Sequence, residues 1–351
     1  MTEHKIGVLL VEDSPVVQLL LVHLINSDSR LEIVGTAKSG EEAMEMLTRI
    51  KPHIVLMDVH LPQMNGLQTT RRIMETQPLP IVVTSATLKS DEIAMSFQAI
   101  EAGALAFVEK PVGPGNPRFD EMAGRLLETV RLMSEVKVVK RNARLRRPAT
   151  PSTMLAVPRQ QIEIVAIGAS TGGPPALRTI LSGLPKDFVA PVLIVQHIAA
   201  GFLHGLADWL HNVSGLPVHV GANGQPLQPG HVYVAPENAH MGVSRGGIVL
   251  SSEPPDNGLR PSVAHLFRSV ARVYGANAAG VLLTGMGRDG ADELKLLRNA
   301  GAVTFAQDAE SSIVHGMPGE AIKLGAALYI LPPDRIAATL AGLSVLQRRK
   351  T

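Results

Sequence analysis

Three polar side chains that could together form a hydrolytic site each follow an apolar run in the second half of the sequence. Ser170 follows I-V-A-I-G-A, His197 ends V-L-I-V-Q-H, and Asp289 lies in the loop of A-G-V-L-L-T-G-M-G-R-D-G-A. A serine hydroxyl becomes a nucleophile when a base takes its proton, and the base needs a third group to hold its tautomer. If the runs are parallel strands, their carboxyl ends bring the three groups to one edge of a sheet. Backbone N–H groups after Ser170 would then stabilise an oxyanion.

Each of the three residues also has an ordinary structural explanation. Ser170 before Thr-Gly-Gly suits a helix N-cap, and Asp289 beside a glycine suits a turn. His197 suits a hydrogen-bonded core or rim histidine, and eleven other histidines dilute its signal. The loop at 168–173 could bind phosphate, but it matches neither G-x-G-x-x-G nor the lysine-bearing P-loop. The residues alone leave these alternatives open.

A second set of polar residues follows apolar runs within the first 110 positions. Two acids follow the first run, a third acid follows the third run, and a hydroxyl and a lysine follow the last two: Glu12, Asp13, Asp58, Ser85 and Lys110. Three carboxylates at one sheet edge repel one another unless a cation joins them, and Mg²⁺ prefers oxygen ligands. A hydroxyl and an ammonium beside them suit a transient phosphoryl group. Taken singly, each residue also suits a strand-end cap.

The elements that must position these groups alternate between strands and helices. In the first part the predicted strands are 6–11, 31–37, 54–57, 81–84 and 106–108, with helices from Pro15 to about Asn26 and over 41–50. This alternation predicts a doubly wound, five-stranded parallel sheet.

A second, glycine-rich and mostly parallel doubly wound α/β domain is predicted from residue 163 onward. Its strands are 164–167, 192–195, 218–220, 231–235, 248–251, 279–283, 303–306 and 329–331. Its helices are 175–184, 202–212, 262–274, 290–300 and 317–324. Mixed or antiparallel pieces are expected between residues 218 and 251.

The segment between the two domains has a different composition. Helical spacing over 119–133 should complete the first domain, and 137–147 then carries six basic residues and no acid. Prolines and hydroxyl residues up to Pro158 indicate an extended linker. We therefore predict domains at 5–122 and 161–347, with a linker over 123–160 that starts helical and becomes basic and Pro-rich. The basic run suits a solvated linker or docking to an acidic partner.

Composition excludes several classes of protein. The 351 residues are 45% hydrophobic and 18% charged, which suits two folded domains, and the net charge of +2 gives no case for nucleic acid as a partner. The absence of cysteine excludes disulfides and thiolate catalysis. No apolar run is long enough for a signal peptide or a membrane span, so a cytoplasmic protein without membrane insertion is expected.

Residues 5–120 resemble a response-regulator receiver domain. The matching positions are the acidic pair, the phosphoacceptor, the switch hydroxyl, the aromatic residue, the lysine–proline pair and the L-P-x-M-N-G segment: Glu12, Asp13, Asp58, Ser85, Phe107, Lys110–Pro111 and 61–66. The resemblance implies Mg²⁺ held by Glu12, Asp13, Asp58 and the backbone carbonyl of His60. It also implies a chemotaxis histidine kinase as phosphodonor. The acyl phosphate would draw in Ser85 and Phe107 and change the adjacent face.

Residues 163–345 resemble the catalytic domain of the chemotaxis protein-glutamate methylesterase family, CheB. The matching segments are G-A-S-T-G-G-P at 168–174, V-Q-H at 195–197, R-P-S-V at 260–263, L-T-G-M-G-R-D-G-A at 283–291 and A-Q-D-A-E-S-S-I-V-H-G-M-P at 306–318. The family usually has Met-Pro after the histidine, whereas this chain has Ile198-Ala199-Ala200. That departure puts the shape of the substrate groove rim in question.

The second resemblance implies a role for each of five residues. Ser170 attacks, His197 is the general base and then the acid, and Asp289 orients His197. Thr171 and Met286 lie near the nucleophile, where backbone N–H groups meet the oxyanion. The reaction implied is hydrolysis of γ-glutamyl methyl esters on methyl-accepting chemoreceptors with release of methanol, and some members deamidate receptor glutamines. No cofactor is implied in the esterase site.

We therefore interpret the chain as a phosphorylation-activated methylesterase that serves chemosensory adaptation. One alternative is a response regulator that binds DNA, which predicts a compact output domain with a basic recognition helix. The output part here is long and rich in strands and glycine. Another alternative is an inactive adaptor that binds receptors without hydrolysis.

Overall fold

The computed structural model describes residues 5–85, 90–136, 138 and 162–348 of the chain. Side chains of 90–94 and 344–348 are outside the description. The chain forms two compact units, Met1–Arg147 and Pro148–Thr351. Most of the predicted basic run and almost all of the predicted Pro-rich linker lie outside the described residues.

The first unit contains a five-stranded sheet in which every neighbouring pair is parallel. Its strands are β1 (Ile6–Val11), β2 (Leu31–Ala37), β3 (Ile54–Asp58), β4 (Ile81–Ser85) and β5 (Ala106–Glu109), in the order β2-β1-β3-β4-β5. The chain leaves β1 towards β2 and then crosses to β3, so the order reverses between β1 and β3. Ligands bind at such a switch point in open α/β sheets.

Five helices cover this sheet: α1 (Pro15–Ser27), α2 (Gly40–Met46), α3 (Gly66–Thr76), α4 (Ser90–Ala102) and α5 (Phe119–Ser134). Local signals explain where several of them begin. Pro15 opens α1 at a position where its missing N–H costs nothing. Asn65 and Gln68 form a capping box at the start of α3. α2 ends at Met46, earlier than predicted, and α5 buries Met122, Leu126, Val130 and Met133.

The second unit contains a seven-stranded parallel sheet, which confirms the predicted fold class. In spatial order its strands are β14 (Tyr329–Leu331), β13 (Val303–Gln307), β12 (Ala278–Leu282), β6 (Ile164–Ala169), β7 (Val192–Gln196), β9 (Val232–Val234) and β8 (Val218–Val220). The antiparallel piece expected before residue 251 is the hairpin of β10 (His240–Ser244) and β11 (Gly247–Ser251). β10 itself was not predicted. The strand order reverses between β6 and β12.

The helices of the second unit are α6 (Gly173–Gly183), α7 (Leu203–Ser214), α8 (Val263–Tyr274), α9 (Ala291–Asn299), α10 (Met317–Lys323) and α11 (Pro333–Arg348), with a short 3-10 helix at Gly275–Asn277. α6 packs against α7 and α11, and α8 packs against α9 and β10. α11 was not predicted. Within the described ranges, no helix has the length and apolar character needed to cross a bilayer.

Two helical glycines of the first unit should respond to alanine in opposite directions. A Cβ at Gly66 would lie 2.0 Å from the backbone oxygen of Asp58, whereas a Cβ at Gly124 would meet nothing within 4 Å. Gly66→Ala should therefore destabilise this unit by about 1–3 kcal/mol through overpacking. Gly124→Ala should stabilise it by about 0.5–1 kcal/mol through helix propensity. Calorimetric unfolding of the full chain measures both changes.

The chain's single tryptophan, Trp209, lies in α7 and provides the control for that experiment. Its fluorescence transition reports the second unit and should stay in place in both variants. Equal unfolding temperatures for Gly66→Ala and the wild type would contradict the predicted clash.

Candidate active site

Ser170 lies in a tight turn between β6 and α6. Its N–H donates to the Thr284 carbonyl at 3.0 Å, and its own carbonyl accepts from the Gly173 N–H at 2.8 Å. Gly172 has φ of 77°, and a Cβ there would lie 2.6 Å from Ile313 Cβ. The turn therefore requires glycine at position 172 for both conformation and space. The result is a half-buried serine at the carboxyl end of a central strand.

His197 and Asp289 meet at the same sheet edge. The His197 Nε2 atom lies 3.0 Å from Asp289 Oδ2, with the two side chains 15% and 3% exposed. This distance suits a hydrogen bond, but the ring N–H is not aligned with the carboxylate. Catalytic hydrogen bonds commonly align only when substrate binds. Because Nε2 faces Asp289, Nδ1 is the ring nitrogen left for another partner.

The Asp289 carboxylate is held by the first residues of α8. Oδ2 accepts from the Val263 N–H at 2.7 Å, and Oδ1 accepts from the Ala264 N–H at 3.0 Å. These N–H groups have no partner within their own helix, and the helix dipole favours a negative charge at this end. A buried carboxylate is thereby stabilised without a cation. The sequence did not predict this contact, although the quoted R-P-S-V segment contains Val263, one of its two donor residues.

Ser262 fixes the start of α8. Its Oγ accepts from the His265 N–H at 3.2 Å as an N-cap, and it donates to Asp256 Oδ2 at 2.9 Å. Asp256 also pairs with Arg268, and these hydrogen bonds, opposed by burial, lower the pKa of Asp256. His240 Nδ1 lies 3.3 Å from Ser262 Oγ. Polar groups around the helix start are therefore mutually satisfied.

His240, His265 and Asp256 form a candidate metal cluster, because one ligand atom from each lies within 4.8 Å of the others. The His240 and His265 rings, however, stack 4.7 Å apart at an angle of 15°. Nearly parallel rings do not direct in-plane lone pairs at one ion, and Arg268 already occupies Asp256. Burial lowers the pKa of His265 most, and the neighbouring His240 lowers it further. The arrangement therefore suits a packed hydrogen-bonded cluster.

Thr171 directly follows Ser170, and Met286 directly follows Gly285, which packs against Ser170. The Thr171 carbonyl accepts from Thr284 Oγ1 at 2.9 Å, which fixes the turn. Met286 is 45% exposed, and a Cβ at the preceding Gly285 would lie 2.7 Å from Ser170 Cβ. In the described part of the chain, the N–H groups of Thr171 and Met286 have no acceptor. Both are therefore available donors beside Ser170.

The Ser170 hydroxyl does not form a hydrogen bond with His197 in this structure. Among the described residues, Ser170 Oγ makes no hydrogen bond. The two residues are adjacent through the backbone instead, because the His197 N–H donates to the Ala169 carbonyl at 3.0 Å. The buried side chain of Gln196 bonds to the carbonyls of both residues. Sequence analysis did not single out Gln196 or Thr284.

The first unit carries a separate charged site at its switch point. Lys110 Nζ lies 2.7 Å from Glu12 Oε2 and 2.8 Å from Asp58 Oδ2. Ligand atoms of Glu12, Asp13 and Asp58 lie within 4.8 Å of one another. Burial raises the pKa of Glu12 and of Asp58, and Lys110 opposes both changes. The carboxylate of Asp58 raises the pKa of Lys110 against the effect of burial.

The carboxylate oxygens of Glu12, Asp13 and Asp58 are suitable ligands for a hard divalent cation. Three carboxylates face one ammonium, so negative charge is in excess, and their oxygens are the ligands that Mg²⁺ prefers. The His60 N–H donates to Asp58 Oδ1 at 3.2 Å, which places its peptide beside the cluster. The use of the His60 carbonyl as a ligand stays a prediction.

The predicted switch residues lie on β4 and β5. Ser85 is buried at the end of β4, and its carbonyl accepts from the Lys110 N–H at 2.8 Å. The Phe107 ring contacts Phe97 of α4 edge-on, with ring centroids 5.2 Å apart. Ser85 is thus joined to Lys110 through the backbone, and Phe107 of β5 lies three residues before Lys110.

Comparison with known proteins gives two successive family matches. The CheB methylesterase family matches residues 165–340, and the response regulator receiver domain family matches residues 8–117. The chain is 54% identical over 344 residues to protein-glutamate methylesterase/protein-glutamine glutaminase 4 of Geobacter metallireducens, covering 97% of this chain and 99% of that protein. It is 52% identical over 351 residues to the enzyme of the same name, without a number, from Nitrosospira multiformis, covering 99% of each.

A solved structure matches the second unit. The Thermotoga maritima CheB methylesterase catalytic domain is 37% identical with a TM-score of 0.50, and the match covers 52% of this chain and 99% of that one.

The contact between Asp289 and α8 predicts a specific loss of stability. Asp289→Asn keeps the shape but replaces one acceptor oxygen with an NH₂ group, so one N–H of α8 loses its partner. A buried donor left unsatisfied costs about 1–3 kcal/mol. Urea unfolding of the full chain, followed by Trp209 fluorescence, should show this loss.

Asp292→Asn is the matched control, because Asp292 is exposed and pairs only with Arg288 in the described contacts. An exposed pair of this kind contributes about 0–1 kcal/mol. If both variants had the wild-type midpoint, the α8 contact would not stabilise the carboxylate.

Proposed function

The chain belongs to the CheB methylesterase family of carboxylic ester hydrolases, and on that premise we propose that it hydrolyses glutamate γ-methyl esters on chemoreceptors. One observation carries the proposal. Ser170, the His197–Asp289 pair and two unpaired N–H groups lie at the carboxyl ends of three neighbouring strands. The proposed setting is chemosensory adaptation in the cytoplasm, with methyl-accepting receptors as substrates.

In the proposed acylation step, Ser170 Oγ attacks the ester carbonyl while His197 Nδ1 takes its proton. Asp289 receives the Nε2–H hydrogen bond and stabilises the imidazolium. The negative charge on the tetrahedral oxygen is met by N–H groups such as those of Thr171 and Met286. His197 then gives its proton to the departing methoxide, and methanol leaves an acyl ester on Ser170.

In the proposed deacylation step, water replaces the hydroxyl as nucleophile. His197 takes a proton from that water as it attacks the acyl ester and returns the proton to Ser170 Oγ. The products are a glutamate carboxylate and the free enzyme. The glutaminase part of the relatives' name suggests a second substrate for the same site. With a glutamine side chain, His197 would instead protonate the leaving amide nitrogen, which departs as ammonia.

Regulation is proposed to start at Asp58. Glu12, Asp13, Asp58 and the His60 carbonyl would hold Mg²⁺, which neutralises charge on the incoming phosphoryl group when bound. Lys110 is positioned to pair with the acyl phosphate, and Ser85 and Phe107 are the proposed responders. A chemotaxis histidine kinase is the proposed phosphodonor. The unphosphorylated first unit would lower the population of competent enzyme, and phosphorylation would restore it.

Methanol release from methylated receptor membranes tests the hydrolytic proposal. Ser170→Ala should lower the rate by about 10⁴-fold or more, because removal of the nucleophile leaves only binding and oxyanion stabilisation. Ser182→Ala is the control, since Ser182 is exposed at the end of α6. Wild-type protein that binds receptors without releasing methanol would favour the adaptor alternative.

The regulatory proposal predicts a response that needs both Asp58 and a divalent cation. Acetyl phosphate with Mg²⁺ should raise methanol release by the wild-type chain severalfold, and EDTA should abolish the rise. Asp58→Asn should stay at the basal rate because it has no carboxylate to phosphorylate, while Asp120→Asn on the exposed start of α5 should respond normally. Full stimulation of Asp58→Asn would refute the proposed phosphorylation site.

A further inference from the structure

Gln196 bonds to both halves of the proposed catalytic pair. It is the last residue of β7 and is 4% exposed. Its Nε2 donates to the Ser170 carbonyl and to the His197 carbonyl, each at 2.8 Å. Carbonyl oxygens only accept hydrogen bonds, so the amide nitrogen must face them and the orientation of the amide is fixed. Two bonds from one nitrogen hold these oxygens within about 5 Å of each other.

This bridge lies just beyond the last sheet contact between the two strands. The β6–β7 pairing ends with Ala169 opposite Gln196. After it, the chain turns into α6 on one side and into an irregular segment on the other. Among the described contacts, Gln196 is the one side chain that bonds to the backbone of both Ser170 and His197.

Gly173 makes room for the other end of the amide. A Cβ at Gly173 would lie 1.9 Å from Gln196 Oε1. Oε1 is buried and has no donor within the described residues. The Gln196 side chain is thus held by the two hydrogen bonds of Nε2 and by contact with Gly173 at the start of α6.

We propose that Gln196 is a positioning residue that sets the separation and orientation of Ser170 and His197 for acylation. The inference rests on the proposed function. Ser170 Oγ and His197 have no hydrogen bond in the described contacts, so the reaction requires the hydroxyl to find the ring without a preformed link. The distance between the Ser170 and His197 backbones then determines how often the hydroxyl reaches hydrogen-bonding distance of the ring. A displacement of about 1 Å at a reacting centre can cost 10²-fold in rate.

Gln196→Met tests the proposal, because it keeps the volume and removes both hydrogen bonds. It should lower kcat for methanol release about 10²-fold with KM within about twofold, since Gln196 is placed to touch the catalytic backbone and not the substrate. The control is Thr304→Val on β13. Thr304 is also buried and also makes two hydrogen bonds, to Ala326 and Leu328. Thr304→Val should cost comparable stability and leave kcat unchanged.

Labelling of Ser170 with a fluorophosphonate separates this inference from the proposed substrate. In Gln196→Met the labelling rate should fall while the final stoichiometry stays at the wild-type value. This readout needs no receptor, so it judges Gln196 even if methanol release fails. A kcat within twofold of the wild type overturns the proposal. A stoichiometry that falls with kcat indicates misfolding, and the Gly173→Ala comparison below then decides. A rise in KM alone overturns it by making Gln196 a substrate contact.

A second comparison guards against a Gln196→Met chain that does not fold. Gly173→Ala should also lower the labelling rate, because its Cβ displaces the amide. In a Gln196→Ala background the same change should cause a clearly smaller loss, since the 1.9 Å contact with Oε1 is absent and only the 2.9 Å contact with Ala169 Cβ remains. Additive losses in the double variant overturn the coupling and with it the proposed role.

Discussion

Parallel pairing of β12, β6 and β7 is the constraint on which the site depends. Parallel strands place all their carboxyl ends at one edge, and the reversal of strand order between β12 and β6 opens a crevice there. The residues that leave these ends are Ser170, His197 and the loop carrying Asp289. Backbone groups at that edge have lost their sheet partners and need new ones. The side chains of Thr284 and Gln196 bond to carbonyls of this edge, and the start of α8 holds the Asp289 carboxylate, so the bonds that satisfy these groups also position them.

The two units stabilise buried carboxylates in different ways. In the first unit Glu12 and Asp58 share the single ammonium of Lys110, and burial raises the pKa of each because that one cation does not fully compensate the cost of burying both charges. In the second unit Asp289 is satisfied by two backbone N–H groups and faces a histidine. A cluster with unbalanced charge suits a switch. A carboxylate fixed by the backbone suits a constant role in orientation.

Sequence patterns predicted most strands because buried parallel strands appear as short apolar runs, and the polar residue ending each run gave the candidate sites. What escaped prediction depends on contacts between distant segments. β10 has Gly242 at its centre, where a Cβ would press on Ser269 of α8, so its glycine reflects packing and weakens the strand signal. The N–H groups that hold Asp289 have no signature, since every helix start offers them. Gln196 lies in the V-Q-H motif, and nothing in the motif indicates that its side chain bonds to the carbonyls of both Ser170 and His197.

The segment after His197 shows why different residues after the histidine can leave the imidazole in place. Ile198-Ala199-Ala200 replaces the usual residues, but the segment is fastened on both sides. His197 is held by its N–H bond to Ala169 and by Gln196, and the Gly201 N–H donates to Glu237 Oε1 at 2.6 Å. Substitutions between two fixed points change the side chains offered to a substrate more than the position of the imidazole. Variation in the side chains available to a ligand is therefore expected in this segment, while the geometry of His197 depends on β7, Gln196 and Asp289.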